Sequence, residues 1–165
     1  MLISNEWLKD YVNVDQSVQA LAERITRTGI EVDDIIDYTK DIKKLVVGHV
    51  LSKTPHPDAD KLNICQVDLG EEEPVQIVCG APNVDEGQHV IVAKVGGRLP
   101  GGIKIKRAKL RGERSEGMIC SLQEIGISSH VTPKNYESGI YVFPEAVKPG
   151  TDALEAIYLN DQVME

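Results

Sequence analysis

The sequence predicts an α+β protein that is mainly β, with a small barrel or sandwich accompanied by short helices. Three observations carry that expectation. Near the N-terminus, apolar residues recur at helical spacing. From Leu45 the period changes to two, in short β-branched-rich runs separated by Gly, Pro, Asn and Asp. The helical segments flank these runs and do not alternate with them, which argues against a parallel βαβ sheet.

Taken in order, the first forty residues read as helical. In "SNEWLKDYV", Ser4 or Asn5 is the expected N-cap, followed by Trp7, Leu8 and Tyr11 at helical spacing. "DQSVQALAERITRTG" places Val18, Leu21, Ala22 and Ile25 on one apolar face. Asp15 or Ser17 is expected to start that helix, and Gly29 suits the left-handed position past its end. Trp7 is expected to anchor the two helices to each other, because so short a pair has few other large apolar groups. Six runs then read as strands: "LVVGHVLSK", "KLNICQVDLG", "PVQIVCG", "QHVIVAKVG", "IKIKRAKLRG" and "GMICSL". "HPDADKL" and "CGAPNV" read as turns between strands. His56, Asp58 and Asp60 serve the first of these turns and are not read as metal ligands, since no other ligand-rich segment completes a set. "LQEIG" suits one helical turn and "GIYVFP" a further strand. "KPGTDALEAIYL" suits a turn at Pro149-Gly150, then a helix capped by Thr151 or Asp152. "NDQVME" carries no closing signal, so the chain is expected to continue. The expected organisation is a helical part of a split domain over 1–40, a barrel over 41–148, and a return toward the split domain over 149–165.

Composition narrows the classes. The 165 residues are 41% apolar and 27% charged, values of a globular chain with a packed core. No apolar run approaches the roughly 20 residues needed to span a membrane. The opening "MLISNEWLKDYV" lacks the basic start and apolar middle of a secretion signal. Cys65, Cys79 and Cys120 sit among apolar neighbours without CxxC spacing, so they read as free core residues in a reducing, cytoplasmic compartment. There is no phosphate loop, nucleophile–base pair or metal-ligand spacing. No catalytic and no metal residue is therefore expected in this chain.

One stretch departs from the average. Arg98 to Arg114 holds seven Lys or Arg and one Glu, a net +6 in a chain of net charge −8, so the remaining residues carry −14. Alternate side chains of a strand face opposite sides. Ile103 and Ile105 alternate with Lys104 and Lys106, while Ala108 and Leu110 alternate with Lys109 and Arg111. The phase slips at Lys106-Arg107, and a β-bulge there is expected to reset it. The bulge would keep Ile103, Ile105, Ala108 and Leu110 inward. It would put Lys104, Lys106, Lys109 and Arg111 on one outer face, with Arg107 to the side. Such a face attracts phosphates. A Debye length of about 8 Å at physiological salt screens the distant carboxylates. The alternative is an edge strand kept soluble by its lysines. Few aromatics accompany the tract, so base stacking is not expected.

"HPDADKLNICQVDLG", "QIVCGAPNV", "GGRLPGGIKIKRAKLRG" and "SEGMICSLQEIG" together resemble the tRNA-binding oligonucleotide-binding-fold domain, over about Leu45 to Phe143. "SNEWLKDYVNV" and "LAERITRTGIEVDDI" resemble the N-terminal region of the bacterial phenylalanyl-tRNA synthetase β-subunit family. The resemblance implies a five-stranded barrel inserted in a small, incomplete helical or α+β N-terminal domain. It implies an accessory tRNA-binding module of an enzyme that attaches phenylalanine to tRNA with ATP and magnesium. It also implies an α subunit as partner in an (αβ)2 assembly, with the synthetic, editing and anticodon sites elsewhere. In folds of this kind ligands meet the loops after strands one and four, which nominates Lys53, Lys61, Lys104, Lys106, Arg107, Lys109 and Arg111. His56 lies by the first of these loops. A free-standing tRNA-binding protein and a purely structural docking module remain alternatives.

Overall fold

The computed structural model describes all 165 residues, Met1 to Glu165. In chain order it forms β1 (Ile3–Ser4), α1 (Asn5–Leu8), α2 (Val18–Arg27), β2 (Ile35–Asp37), β3 (Lys43–His56) and β4 (Ala59–Asp68). There follow β5 (Val75–Cys79), β6 (His89–Leu99), β7 (Ile103–Lys104), β8 (Ala108–Leu110), β9 (Glu113–Ser115) and β10 (Gly117–Ile119). A single 3-10 turn (Lys134–Tyr136), α3 (Ala153–Ala156) and β11 (Gln162–Met164) complete the order. No helix is long and apolar enough to cross a membrane. The chain divides into two compact units, one of Met1–Lys40 with Tyr158–Glu165, the other of Asp41–Ile157. Pro149–Ile157, read from the sequence as returning chain, belongs to the second unit.

The first unit is not purely helical. It holds a three-stranded antiparallel sheet in the order β1-β11-β2. Val18 and Ala22 of α2 bury against Met164 of β11, with Leu21, Ile25, Ile3, Leu8 and Ile35 around them. Ser4 and Ser17 are the caps, their side chains accepting from Trp7 N–H at 3.0 Å and Ala20 N–H at 3.2 Å. Gly29 follows α2 at φ 102°. Trp7 does not anchor the helices and is 67% exposed, as Tyr11 is at 76%. The reason is length. A four-residue helix has one inward direction, and Asn5 and Leu8, three apart, occupy it.

The second unit is built on an antiparallel sheet ordered β10-β6-β3-β4-β5, with β7 added to β6. Val50, Cys65, Val67, Ile77, Val90, Val92 and Ile119 are buried on one inner face of it. The curl of the sheet brings Gly48 so close to its neighbours that a Cβ there would lie 2.7 Å from Val67 Cγ1 and Val92 Cγ2. The expected closed five-stranded barrel does not form; the sheet is open. No ladder joins its edges, β10 and β5. Between them stand a bond from Glu116 N–H to Gln76 O at 2.8 Å and one from Val78 N–H to Ser115 Oγ at 3.1 Å. A serine hydroxyl thus takes the amide that a closing strand would otherwise have taken.

"LQEIG" forms no helix. Ser121 and Glu124 cap each other reciprocally, as at a helix start, but Gly126 turns the chain at φ 91° two residues later. Asp152 caps α3, accepting from Leu154 N–H and Glu155 N–H. Val142 of "GIYVFP" makes a single bridge to Val90.

Candidate nucleic-acid interface

The basic tract is held in two separate pieces, not in one bulged ribbon. Gly101 and Gly102, both left-handed at φ 82° and 76°, turn the chain back so that β7 pairs β6, Arg98 opposite Lys104 and Leu99 opposite Ile103. Ile105 then bonds to a kink in β6: its carbonyl accepts from Gly96 N–H at 2.8 Å and its N–H donates to Gly97 O at 3.0 Å. Ile105 is buried, and it alone of the four apolar tract residues points inward. Ile103 is 53% and Leu110 40% exposed, and Ala108 is exposed too. Edge strands with a partner on one side only have no second surface to bury their alternate residues.

The second piece is a hairpin of β8 and β9, Ala108 opposite Ser115, Lys109 opposite Arg114 and Leu110 opposite Glu113. Its two-residue turn is Arg111-Gly112, at φ 48° and 94°. Positive φ at both positions is the type I′ geometry that matches strand twist. Side-chain hydrogen bonds fasten the hairpin at its tip and at its base. His56, buried at the β3–β4 turn, donates from Nε2 to Leu110 O at 3.0 Å. Its Nδ1 accepts from Asp58 N–H at 3.0 Å, so its two partners require the Nε2–H tautomer. The Arg111 guanidinium donates to Asp58 O at 3.2 Å. At the base, Gln76 donates to Arg114 O at 2.9 Å and to Glu113 at 3.3 Å.

The nominated cations are not equivalent. Lys53 is spoken for: its ammonium donates to Val84 O at 3.2 Å and pairs with Asp85 at 3.3 Å. The Asp85 carboxyl is held below its ordinary range, by the Glu86 backbone N–H first and by Lys53 after it. Arg107 pairs with Glu116 at 3.2 Å. Lys61, Lys104, Lys106, Lys109 and Arg111 are exposed and make no ion pair. Arg98 and Arg114 share that state, although sequence reasoning counted their charge without nominating them. The "RG" turn between two short runs was the available signal, since it sets the register that puts Arg114 opposite Lys109.

The three cysteines are free and buried. Burial pushes the Cys65 thiol up to about 11 and Cys120 to about 12, and raises Cys79 as well. They stay protonated near neutral pH and supply packing, not thiolate chemistry. What the second unit offers a ligand is therefore charge on a fastened ribbon. It is a small open-sheet β module with a cationic edge.

Comparison with known proteins fits that description. Residues 45–152 match the family described as "Putative tRNA binding domain", and the chain belongs to that family. It is 99% identical over all 165 residues to a phenylalanine–tRNA ligase beta subunit of Staphylococcus epidermidis and 83% identical to that of Staphylococcus aureus. In both cases it corresponds to 21% of the relative, so the chain spans about a fifth of the length of the curated relatives it matches. Among solved structures it is similar to a MetRS related protein from Pyrococcus horikoshii, with TM-score 0.47 and 23% identity over 74% of this chain and 97% of that one.

Proposed function

We propose that this chain is the N-terminal, non-catalytic part of a phenylalanine–tRNA ligase β subunit. Its β-rich unit is then an accessory tRNA-binding module, an open form of the oligonucleotide-binding arrangement carried by a split N-terminal domain. The 99% identity over the whole chain supports the first statement, and the family match over 45–152 supports the second. The observation that carries the RNA reading is the set of exposed, unpaired cations at Lys104, Lys106, Lys109 and Arg111 on an otherwise acidic chain. Lys61 stands beside the β3–β4 turn as a further contact. Lys53 and Arg107, each already paired with an acid, contribute less. Phenylalanine attachment with ATP and magnesium is assigned to the whole cytoplasmic enzyme, an (αβ)2 assembly with an α subunit.

A salt-series tRNA titration of the chain tests this. Four cations on phosphates give log K against log[salt] a slope of about −3 to −4. Changing Lys104, Lys106, Lys109 and Arg111 together to Glu abolishes binding. No affinity at low salt, or a quadruple variant that binds like the parent, overturns the reading and leaves a docking module.

A further inference from the structure

We propose that two like-charged cross-strand pairs, Arg98 with Lys104 and Lys109 with Arg114, act as phosphate clamps, each holding one RNA backbone phosphate between its two cations. The inference rests on the RNA reading above and names how the contact is made.

The register places the members of each pair directly opposite one another. Like charges in that position destabilise a ladder. All four side chains are exposed, and none has an acid partner. Three other cations of the same unit are quenched, Lys53 by Asp85, Lys94 by Glu71 and Arg107 by Glu116, while Lys61, Lys106, Arg111 and Lys43, which stands opposite Arg98 on its other side, are not. With 26 acidic residues in the chain, carboxylates are not scarce. Glu113, next to Arg114 in the chain, lies opposite Leu110 and accepts from Gln76, and Glu116 pairs with Arg107. Two repulsive pairs left without neutralisation are therefore a cost with no return inside the free unit. A bound anion supplies the return.

The make-up of the pairs fits a phosphate. Each joins one Arg to one Lys. The guanidinium fork bonds two phosphate oxygens at once, and the ammonium adds a compact charge from the other side. Positions are held from below: Ile105 pins the link between the pairs to Gly96 and Gly97, and His56 fastens the hairpin tip. The backbone from Lys104 to Lys109 spans at most about 17 Å, so one RNA strand can run across both pairs.

The test uses the 165-residue chain and unfractionated bacterial tRNA, read by fluorescence anisotropy, with glutamine replacing each cation singly and in pairs. At low salt Lys109→Gln or Arg114→Gln alone lowers affinity about tenfold, the scale of one charge-assisted contact. The double variant loses little more than either single. Its salt slope falls by about 0.7–0.9, the value of one phosphate. Arg98→Gln and Lys104→Gln behave in the same way. In the absence of RNA each single variant melts about 1–2 °C higher than the parent at low ionic strength, and the gain disappears in 1 M salt. Affinity losses that multiply across a pair, unchanged binding, or a lower melting temperature at low salt overturn the clamps while leaving RNA binding intact. A parent chain that ignores tRNA but binds a polyglutamate peptide through these pairs overturns the RNA reading itself and identifies an acidic protein surface as the partner.

Discussion

β6 and the basic tract that follows it are adjacent in the chain and both alternate apolar with polar residues in part, yet they reach opposite environments. β6 has β3 on one side and β10 and β7 on the other, and Val90, Ile91, Val92 and Ala93 are all fully buried. The tract has one partner at a time: β7 pairs only β6, and β8 pairs only β9. Three of its four apolar residues therefore remain at the surface. The difference shows that alternation sets which way a side chain points, while neighbours on both sides decide whether that direction is covered. It also explains how one short region carries so much unbalanced charge. Where little apolar surface is buried, the fold is insensitive to what the side chains are, and their charge is free to serve a ligand.

The contrast can be broken most directly by truncation. Ile91→Ala opens a void in the core and is expected to cost about 2–5 kcal/mol. Leu110→Ala, at 40% exposure, is expected to change stability by no more than about 0.5 kcal/mol. Urea unfolding of the two variants reads both values, and similar losses would mean that the hairpin packs as tightly as the sheet.

An intermediate effect is expected where the two regions are fastened. His56→Ala leaves Leu110 O and Asp58 N–H without their partner, a loss of about 1–3 kcal/mol if water does not reach them. Amide exchange at Leu110 to Gly112 should speed up more than exchange in β6. Uniform protection in the variant would show that the hairpin holds itself.

The smallest effect sharpens the comparison from the β6 side. His89 stacks on His49 of β3, ring centroids 4.4 Å apart and planes within 3°. Burial, and then the charge of His49, lowers the His89 pKa below its ordinary 6.5. The unfolded chain takes up that proton more readily than the folded one, so this contribution to stability is present above pH 6.5 and is lost as pH falls through the folded value. Urea midpoints should drop on acidification below neutrality in the parent and drop less in His89→Gln. An equal drop in both would assign the effect to other groups.

Much of this was legible residue by residue. Ser4, Ser17 and Asp152 were each legible as one of two candidate caps, the others being Asn5, Asp15 and Thr151, because a cap is satisfied within three residues of itself. The strands of the main sheet were readable because β-branched runs between turn residues need a pleated, half-buried surface. The cysteines were readable as core from their apolar neighbours. Trp7 was misread because its exposure depends on how short α1 is, and the spacing of apolar residues continued past the helix end. The three strands of the first unit were missed because each is two or three residues long and gains its identity only from a partner more than a hundred residues away, as in Ser4 opposite Val163. Arg98 and Arg114 were counted but not placed, since register is a property of two strands.

By itself, then, the sequence determined the mainly β character, a pair of candidate residues for each helix start, the place of the free cysteines in the core and the concentration of positive charge between Arg98 and Arg114. Only the tertiary structure decided that the sheet stays open, that the tract breaks at Ile105, and which cations stand opposite each other or are neutralised by acids. The physical reason is range: caps, turns and periodicity are satisfied by neighbours in the chain, whereas ladder closure, register and ion pairing require groups that only folding brings together.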